Sequence, residues 1–415
     1  MTKVQSIAPA RNAAFIFIFV TVLLDMLAIG IIVPVLPRLV VDFVQGDAAR
    51  GADYLGLFGT AWALMQFVFS PVQGVLSDRF GRKPIILLSN FGLGLDYVLM
   101  ALAPTLWWLF AGRIISGICS ASVSTAYAYV ADVTPADERA ARFGLIGVAF
   151  GAGFVFGPAL GGLAGNVDPR LPFWIAAALS LSNGLYGLLI LPESLPLDRR
   201  APFAWQRANP VGSLVLLRSH PGLTTLALVN FLSSLAHASL PTIGVLYMMY
   251  RYQWDERMVG FTMAGVGLCA MIVQGTLIRP AVTRFGERTA LFIVLSFGIA
   301  GFAMFGLASN GVTFWLGIPL LAVWGLASAA SLGLMSRRVG PSEQGQLQGA
   351  NASLMGIANL FGPGLFTQVF AASIGSGAWH QPGAPYLLAA LLVAMALAVA
   401  VRATQPGDAR RARTP

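Results

Sequence analysis

Long apolar segments recur along this chain, and they constrain its fold more than any other feature of the sequence. A helix needs about 20 predominantly apolar residues to cross the hydrocarbon core of a bilayer. Twelve such segments can be delineated, at 13–37, 55–76, 84–103, 106–131, 143–165, 172–192, 222–250, 257–280, 288–308, 312–335, 347–373 and 383–403. The sequence therefore predicts an all-α membrane protein with twelve transmembrane helices.

The composition excludes a soluble globular protein of the ordinary kind. Of the 415 residues, 57% are hydrophobic and only 10% are charged, whereas soluble domains carry roughly 25% charged residues. So few charged side chains do not cover a water-facing surface. The 46 glycines fit the same interpretation, because membrane helices pack closely through small residues.

The distribution of basic residues predicts how the chain is oriented in the bilayer. An even number of spans places both termini on one side, and Lys and Arg concentrate on the cytoplasmic side of membrane proteins. Here they cluster in the terminus-side segments 79–83, 199–218, 284–288 and 402–413, whereas the opposite side holds isolated arginines. We therefore expect both termini in the cytoplasm. The net charge of +9 reflects this topology, and we expect no nucleic-acid partner.

Short motifs recur at one constant offset of 205 residues, which indicates two related halves. The matches are 79–81 with 284–286, 157–158 with 362–363, Glu138 with Glu343, Gly144 with Gly349, and Asp25 with Asn230. A polar stretch rich in proline and arginine lies between the halves. We predict an N-terminal six-helix bundle over 1–192, a cytoplasmic linker over 193–220 and a C-terminal six-helix bundle over 221–415. Transporters with such repeats place their substrate site near the midplane, between the repeats.

Three charged residues lie inside predicted spans and away from the span ends: Asp25 in helix 1, Asp96 in helix 3 and Arg113 in helix 4. A charge at the bilayer centre costs about 2.5–3.5 kcal/mol on insertion scales, so such residues are usually functional. One hypothesis is that the two acids bind a proton and a cationic substrate alternately, with Arg113 as a nearby cation. The alternative is a fixed internal ion pair that holds the helices together, or an Arg113 that only anchors its helix.

Four further polar residues lie within spans and are candidates for binding substrate. Neutral histidine and imidazolium interconvert near neutral pH, so His237 in helix 7 is a candidate for proton exchange or ligand contact. The alternative is a neutral, hydrogen-bonded histidine. Gln66, Asn230 and Gln274 are uncharged, and each either lines a cavity or bridges two helices by hydrogen bonding.

We find no pattern typical of an enzyme or a metal site. The chain has no G-x-x-x-x-G-K-[ST] nucleotide loop and no H-E-x-x-H zinc motif. Cys119 and Cys269 stand alone in apolar stretches, and the three histidines are scattered, so neither a disulfide framework nor a metal cluster is predicted. No residue is assigned as catalytic.

The loop between the second and third predicted helices carries a specific motif. Residues 74–84 read Gly-Val-Leu-Ser-Asp-Arg-Phe-Gly-Arg-Lys-Pro, which resembles the signature loop of the major facilitator superfamily and implies its fold of two pseudo-symmetric six-helix bundles. The matching positions are Gly74, Asp78, Arg79, Gly81, Arg82 and Lys83. On physical grounds Gly74 allows close helix packing and Gly81 allows a tight turn.

The resemblance also implies a gate built on this loop. Asp78 is expected against the N-terminus of the eleventh helix, where the helix dipole favours negative charge. Arg82 is expected to bond an acid at the end of helix 4, here Asp132. The alternative is that these charges only fix the membrane topology.

A row of glycines in helix 5, Gly151-x-Gly153-x-x-x-Gly157-Pro158-x-x-Gly161-Gly162, resembles the motif of drug/proton antiporters. The positions that carry the motif are Gly153, Gly157, Pro158, Gly161 and Gly162. The glycines allow a neighbouring helix to approach closely, and the proline bends the chain. The alternative is ordinary packing through small residues.

Further segments are similar to the tetracycline/proton antiporters over essentially the whole chain. They are Asp25 with the Gly-Ile-Ile-Val-Pro-Val-Leu-Pro run that follows, and the segments 64–67, 96–97, 111–114 and 345–349. The resemblance implies proton-coupled efflux of a tetracycline-class drug by alternating access, carried out by a monomer in the bacterial inner membrane. It implies no enzymatic activity and no cofactor, with Mg²⁺ entering only as part of a chelated substrate.

The chain departs from that family at two positions in its C-terminal half. The family has a carboxylate in helix 9 and a histidine in helix 8, where Gly298 and Ala270 stand here. The substrate therefore stays open between a tetracycline, another drug, and a sugar or other metabolite. Outside transport, the alternatives are a receptor that binds a ligand without moving it and, more remotely, an intramembrane enzyme.

Overall fold

A computed structural model describes residues 7–120, 122–135, 138–202, 209–220, 222–340, 343–375 and 380–403. Within these ranges 12 helical segments are long and apolar enough to cross a membrane. The described part of the chain contains no β-strand. The predicted all-α architecture with twelve transmembrane helices is confirmed.

The helices are labelled in chain order. They are α1 (Ile7–Ile32), α2 (Leu36–Phe43), α3 (Ala48–Phe80), α4 (Arg82–Ala101), α5 (Leu106–Cys119), α6 (Ser122–Val133), α7 (Arg139–Gly165), α8 (Leu171–Ile190), α9 (Leu223–Tyr252), α10 (Glu256–Thr276), α11 (Ile278–Leu307), α12 (Gly311–Trp324), α13 (Ala327–Ser336), α14 (Gln344–Ile374) and α15 (Ala384–Ala403). Three spans consist of two helices each: α1 with α2, α5 with α6, and α12 with α13.

The second span begins earlier than hydropathy suggests, because its first turns are polar. The apolar pattern predicts a span over 55–76, whereas α3 runs over Ala48–Phe80. The Asp47 carboxylate accepts hydrogen bonds from the backbone N–H groups of Ala49 at 3.0 Å and Arg50 at 3.1 Å. Such an N-cap satisfies free N–H groups at a helix start whatever the polarity of the residues that follow.

Two spans break at positions related by the 205-residue offset. The first half of one span ends at Cys119, and the first half of the other ends at Trp324. In the first span, side chains of other helices satisfy the carbonyl groups beside the break. Gln73 donates to the Ile118 carbonyl at 2.5 Å, and Ser89 donates to the Cys119 carbonyl.

The chain forms two compact units. Unit 1 comprises Met1–Phe43, Ala61–Asn209 and Asp255–Ala264, and unit 2 comprises Val44–Thr60, Pro210–Trp254 and Gly265–Pro415. The bundle boundaries expected from the sequence, at 192 and 221, stay a prediction.

Each unit has its own apolar core. In unit 1, Phe17 and Ile18 of α1 are buried with Tyr129 of α6 and Ile146 of α7. In unit 2, the short 3₁₀ helix Gly212–Arg218 of the linker packs Leu216 and Leu217 against buried side chains of α9, α13 and α14. The end of the linker is therefore part of the unit 2 core.

Candidate functional site

Asp25 lies on α1 within unit 1 and is 8% exposed. Asn183 of α8 donates its side-chain N–H to Asp25 Oδ1 at 3.1 Å and to the Thr21 carbonyl at 3.1 Å. With its amide oriented so that both ends find partners, Asn90 of α4 donates to both carboxylate oxygens at 3.2 Å. The hydrogen-bond partners of this acid among the described residues are therefore neutral amides.

That environment suits exchange of a proton. A side-chain amide offers both N–H donors and a carbonyl acceptor, so Asn90 and Asn183 can accommodate an ionised or a protonated Asp25 after a rotation of the amide. A permanent counter-ion would instead hold the acid in its charged form. The arrangement favours a carboxyl group that changes its charge.

Asp96 lies on α4 in the same unit and is 1% exposed. Neither of its carboxylate oxygens has a hydrogen-bond partner among the described residues. Arg113 of α5 donates from Nη2 to the Met100 sulfur at 3.2 Å instead. The internal ion pair considered from the sequence is therefore not formed. Sequence shows that two opposite charges lie within the membrane, but the side-chain directions on α4 and α5 decide whether they meet.

Arg82 organises the loop between α3 and α4. Its Nη1 donates to Asp78 Oδ1 at 2.6 Å and to Ser77 Oγ at 2.7 Å. Its Nε donates to Asp132 Oδ2 at the end of α6, at 3.1 Å, so the expected contact between Arg82 and Asp132 is present. Charge-assisted bonds of this length are about twice as strong as neutral ones. The loop thereby ties three helices of unit 1 together at one guanidinium group.

Sequence reasoning missed the most connected acid of this cluster, Glu193, at the start of the linker. Its carboxylate accepts from the backbone N–H of Arg82 at 2.8 Å and of Lys83 at 3.2 Å. Gly81 has a φ of 104°, and a Cβ there would collide with the Glu193 carboxylate. The expected tight turn at Gly81 is confirmed, and its purpose is to hold an anion at the start of α4.

The other positions of the loop motif over 74–84 make contacts of other kinds. Lys83 donates to the Leu188 carbonyl at 3.0 Å, and Arg79 lies over the Phe80 ring, 5.1 Å from its centroid. The close helix packing expected at Gly74 is wrong for this structure. A Cβ at that position would meet no heavy atom within 4 Å.

The glycines of α7 do make close contacts, as the antiporter motif implies. A Cβ at Gly157 would lie 2.7 Å from the Gly30 Cα, one at Gly153 would overlap Met26, and one at Gly161 would overlap the Ile31 carbonyl. The row therefore presses on α1 immediately after Asp25. Pro158 lies inside the same helix.

Gly162 faces another neighbour, the start of α10. A Cβ there would lie 3.0 Å from the Gly260 Cα and would overlap the Glu256 carbonyl. Glu256 is buried and pairs with Arg38 of α2 at 3.6 Å. Within unit 1 the motif thus allows close approach on two faces of α7.

The candidates in unit 2 are Asn230, His237 and Gln274, whereas Gln66 is half-buried on α3 in unit 1. Asn230 is buried and donates a hydrogen bond to the Asn351 side chain of α14, so it bridges two helices. His237 is exposed on α9, with its ring 5.7 Å from that of Trp324. Gln274 is exposed on α10.

Asn90 and Asn183 are the substrate-site candidates that sequence reasoning overlooked. They are amides inside predicted spans, the same signal that singled out Gln66 and Asn230. Their relation to Asp25 could not be read from the sequence, because 158 residues separate Asp25 from Asn183.

No resident metal site is evident in the described ranges. No three His, Cys, Asp or Glu side chains there are grouped so that they could hold a metal ion. Cys119 and Cys269 are both free thiols.

Comparison with known proteins gives concordant matches. The model of the Major Facilitator Superfamily matches residues 18–363. The class C tetracycline resistance protein of Escherichia coli is 38% identical, over 91% of this chain and 95% of that protein. The class D tetracycline resistance protein of Salmonella ordonez is 34% identical, over 95% and 98%. Among solved structures, the human organic anion transporter MFSD10 is similar with a TM-score of 0.68 and 25% identity, covering 94% of this chain and 99% of that one.

Proposed function

The chain belongs to the Major Facilitator Superfamily, in the group of the tetracycline resistance proteins, and on that premise we propose that it exports a tetracycline-class drug in exchange for protons. It is a multi-pass membrane transporter and not an enzyme. The observation that supports proton coupling is the environment of Asp25 and Asp96. Both acids are buried within spans, and in the part of the chain that the structure describes neither has a cationic partner within hydrogen-bond distance.

Asp96 and Asp25 have different roles in the exchange of protons for drug. Asp96 has no donor to stabilise its charge, and an unpaired buried carboxylate is costly, so it carries the proton in this arrangement. Asp25 accepts its bonds from amides and takes the cationic part of the drug. Mg²⁺ chelated by the drug is the cation that meets the carboxylate. Arg113, next to Gly112 against which Asp96 lies, is the positive charge that favours loss of the proton when it swings towards Asp96.

Movements of α1 and of the loop between α3 and α4 link proton exchange to the conformational change of the transporter. The glycine row of α7 presses on α1 just after Asp25, so a shift of α7 displaces the acid. The cluster that Arg82 forms with Ser77, Asp78 and Asp132 acts as the gate. During the transport cycle Asp78 exchanges Arg82 for another partner. His237 and Gln274, which are exposed on α9 and α10, are candidates for drug contact in unit 2, and the half-buried Gln66 is a candidate in unit 1. Asn230 instead bridges α9 and α14.

The proposal includes location and assembly. We place the chain in the bacterial inner membrane with both termini in the cytoplasm, on the distribution of basic residues. We propose that it acts as a monomer, as the resemblance to this superfamily implies.

A second candidate is export of another amphipathic drug. Gly298 stands where the tetracycline exporters have a carboxylate, and a Cβ there would overlap the indole ring of Trp324. The ring occupies the space that an acidic side chain would need. Unit 2 therefore lacks one acidic contact of the family.

The test is proton-driven uptake of tetracycline with Mg²⁺ into everted membrane vesicles. We expect wild-type uptake that collapses with a protonophore, and a loss of at least tenfold in Asp25→Asn and in Asp96→Asn. Asp53→Asn, which removes an exposed carboxylate on α3, is the matched control and should transport normally. Full uptake by the double variant Asp25→Asn, Asp96→Asn would overturn proton coupling at these acids. Failure of the wild type on tetracycline with success on another drug would favour the second candidate.

A further inference from the structure

The paired helix breaks point to a binding element in unit 2. In transporters built from repeats, interrupted helices at corresponding positions of the two halves mark the substrate site, because half-helix ends expose backbone polar groups. The helix ends at Cys119 and at Trp324 lie at such corresponding positions. At the second of them the backbone N–H groups of Gly325 and Leu326 are bonded to the Leu321 and Val323 carbonyls, so contacts to a ligand there come from side chains. In unit 2, the side chain at the break is an indole, and its neighbour is His237.

A second irregularity lies on α9 beside this break. Pro241 is inside the helix and has no N–H to donate to the carbonyl of His237, four residues earlier. Ser234, His237 and Pro241 follow one another at helical spacing and share a face of α9. Ser234 is half-buried, and His237 and Pro241 are exposed, so this face of α9 is open at the polar imidazole of His237.

The indole itself has an unmet hydrogen-bonding group. Trp324 is 4% exposed, and its Nε1–H has no hydrogen-bond partner among the described residues. Leaving a buried donor unpaired is unfavourable. The ring is fixed from behind by Phe302, whose centroid lies 4.9 Å away in an edge-on arrangement, and Gly298 leaves room beside it. Packing against Phe302 and Gly298 therefore fixes the position of the Trp324 indole ring.

We propose that His237 and Trp324 form a drug-contacting wall in unit 2 that determines specificity for planar polycyclic ligands with oxygen atoms along one edge. The inference rests on the proposed function, since it names the groups that meet the drug in this unit. His237 is the contact residue, because it is the exposed member of the pair. Its imidazole stacks on the flat ring system and exchanges hydrogen bonds with the oxygen edge.

Trp324 is the positioning residue of the pair. Its ring centroid lies 5.7 Å from that of His237 with the planes tilted by 34°, so it holds the imidazole in a fixed orientation. The unpaired indole Nε1–H of Trp324 is the donor that a ligand oxygen reaching this ring would satisfy. The neutral wall thus takes the place of the acidic contact that Gly298 cannot supply.

The experiment compares transport constants for two tetracyclines that differ in one ring substituent, in energised everted vesicles. The variants are His237→Ala, His237→Gln and Trp324→Phe, with Trp315→Phe on the same α12 as matched control. Loss of one hydrogen bond and a stacking contact predicts a KM for His237→Ala that rises about threefold to tenfold, with little change in maximal rate. His237→Gln should recover part of the loss, and Trp324→Phe should change the ratio of KM between the two drugs.

A separate titration of the purified wild-type chain with Mg²⁺–tetracycline distinguishes the two proposals. Transport by the wild type with unchanged KM in both His237→Ala and Trp324→Phe would overturn the wall and leave the proposed function standing. An equal fall in maximal rate for every variant, Trp315→Phe included, would indicate a structural defect and also overturn it. Binding without transport, weakened in His237→Ala, would support the wall and overturn the proposed function. Absence of binding would overturn both.

Discussion

The carboxylate of Glu193 accepts a hydrogen bond from the backbone N–H of Arg82 at 2.8 Å, across 111 residues of sequence. The bond joins the start of the linker, three residues beyond the end of α8, to the start of α4. Arg82 in turn holds Asp78 and Asp132 through its side chain. The backbone N–H of Arg82 thus holds the linker, and its guanidinium group holds the loop between α3 and α4. A movement of the linker is therefore transmitted to the loop through Arg82.

Removal of the Glu193 carboxylate should destabilise unit 1. Glu193→Ala leaves the N–H groups of Arg82 and Lys83 without their acceptor, which for a lost helix cap costs about 1 kcal/mol. Thermal unfolding of the purified protein in detergent measures the change. Glu138→Ala removes an acid that is 54% exposed and should have no measurable effect. Equal melting temperatures for both variants would contradict the capping role.

The two glycines of the loop motif should respond in opposite ways to alanine. Gly81→Ala places a Cβ on a backbone with φ of 104° and against Glu193, so a loss of about 1–3 kcal/mol is expected. Gly74→Ala enters open space in a helix and should be neutral or stabilising by about 0.5–1 kcal/mol. Unfolding curves of the two variants, run side by side, check the contrast. A Gly74→Ala variant that is stable but slow in transport would show that this face of α3 is used in another state of the cycle.

Gly157 and Gly147 of α7 provide a test position and a matched control on the same helix. Gly157→Ala forces α7 away from Gly30 of α1, whereas a Cβ at Gly147 meets nothing within 4 Å. Overpacking of this kind typically costs 1–3 kcal/mol, and here it also displaces the helix that carries Asp25. We expect Gly157→Ala to lose most of its drug transport at normal membrane insertion and Gly147→Ala to retain it. Uptake assays on vesicles matched for protein content decide, and normal uptake by Gly157→Ala would refute the packing argument.

Asn183 should affect transport mainly through its hydrogen bond to Asp25. Asn183→Leu removes the donor 3.1 Å from Asp25 Oδ1 while keeping the volume of the side chain. A hydrogen bond to a charged group is worth about 1.5–3 kcal/mol, so we expect drug uptake at least tenfold slower. In an Asp25→Asn background the same substitution should have little further effect. Additive losses in this double-mutant cycle would mean that the two residues act independently.

The twelve membrane spans and the tight turn at Gly81 were predictable because each depends on the chemistry of neighbouring residues in the sequence. Apolar length alone identifies a span, and only glycine readily takes the φ observed at Gly81. The start of α3 at Ala48 escaped prediction, since a cap and not hydropathy sets it. The environment of Asp96 also escaped, because its distance from Arg113 depends on how α4 and α5 are rotated about their axes.

By itself the sequence determined twelve spans, two related halves, the family, and the two acids whose cost in a membrane marks them as functional. Tertiary structure alone decided the partners: Asn90 and Asn183 at Asp25, Glu193 at the start of α4, and Trp324 beside His237. The physical reason is that insertion of a helix depends on the free energy of its own residues in the bilayer. Which side chains then meet depends on the packing of helices that lie far apart along the chain.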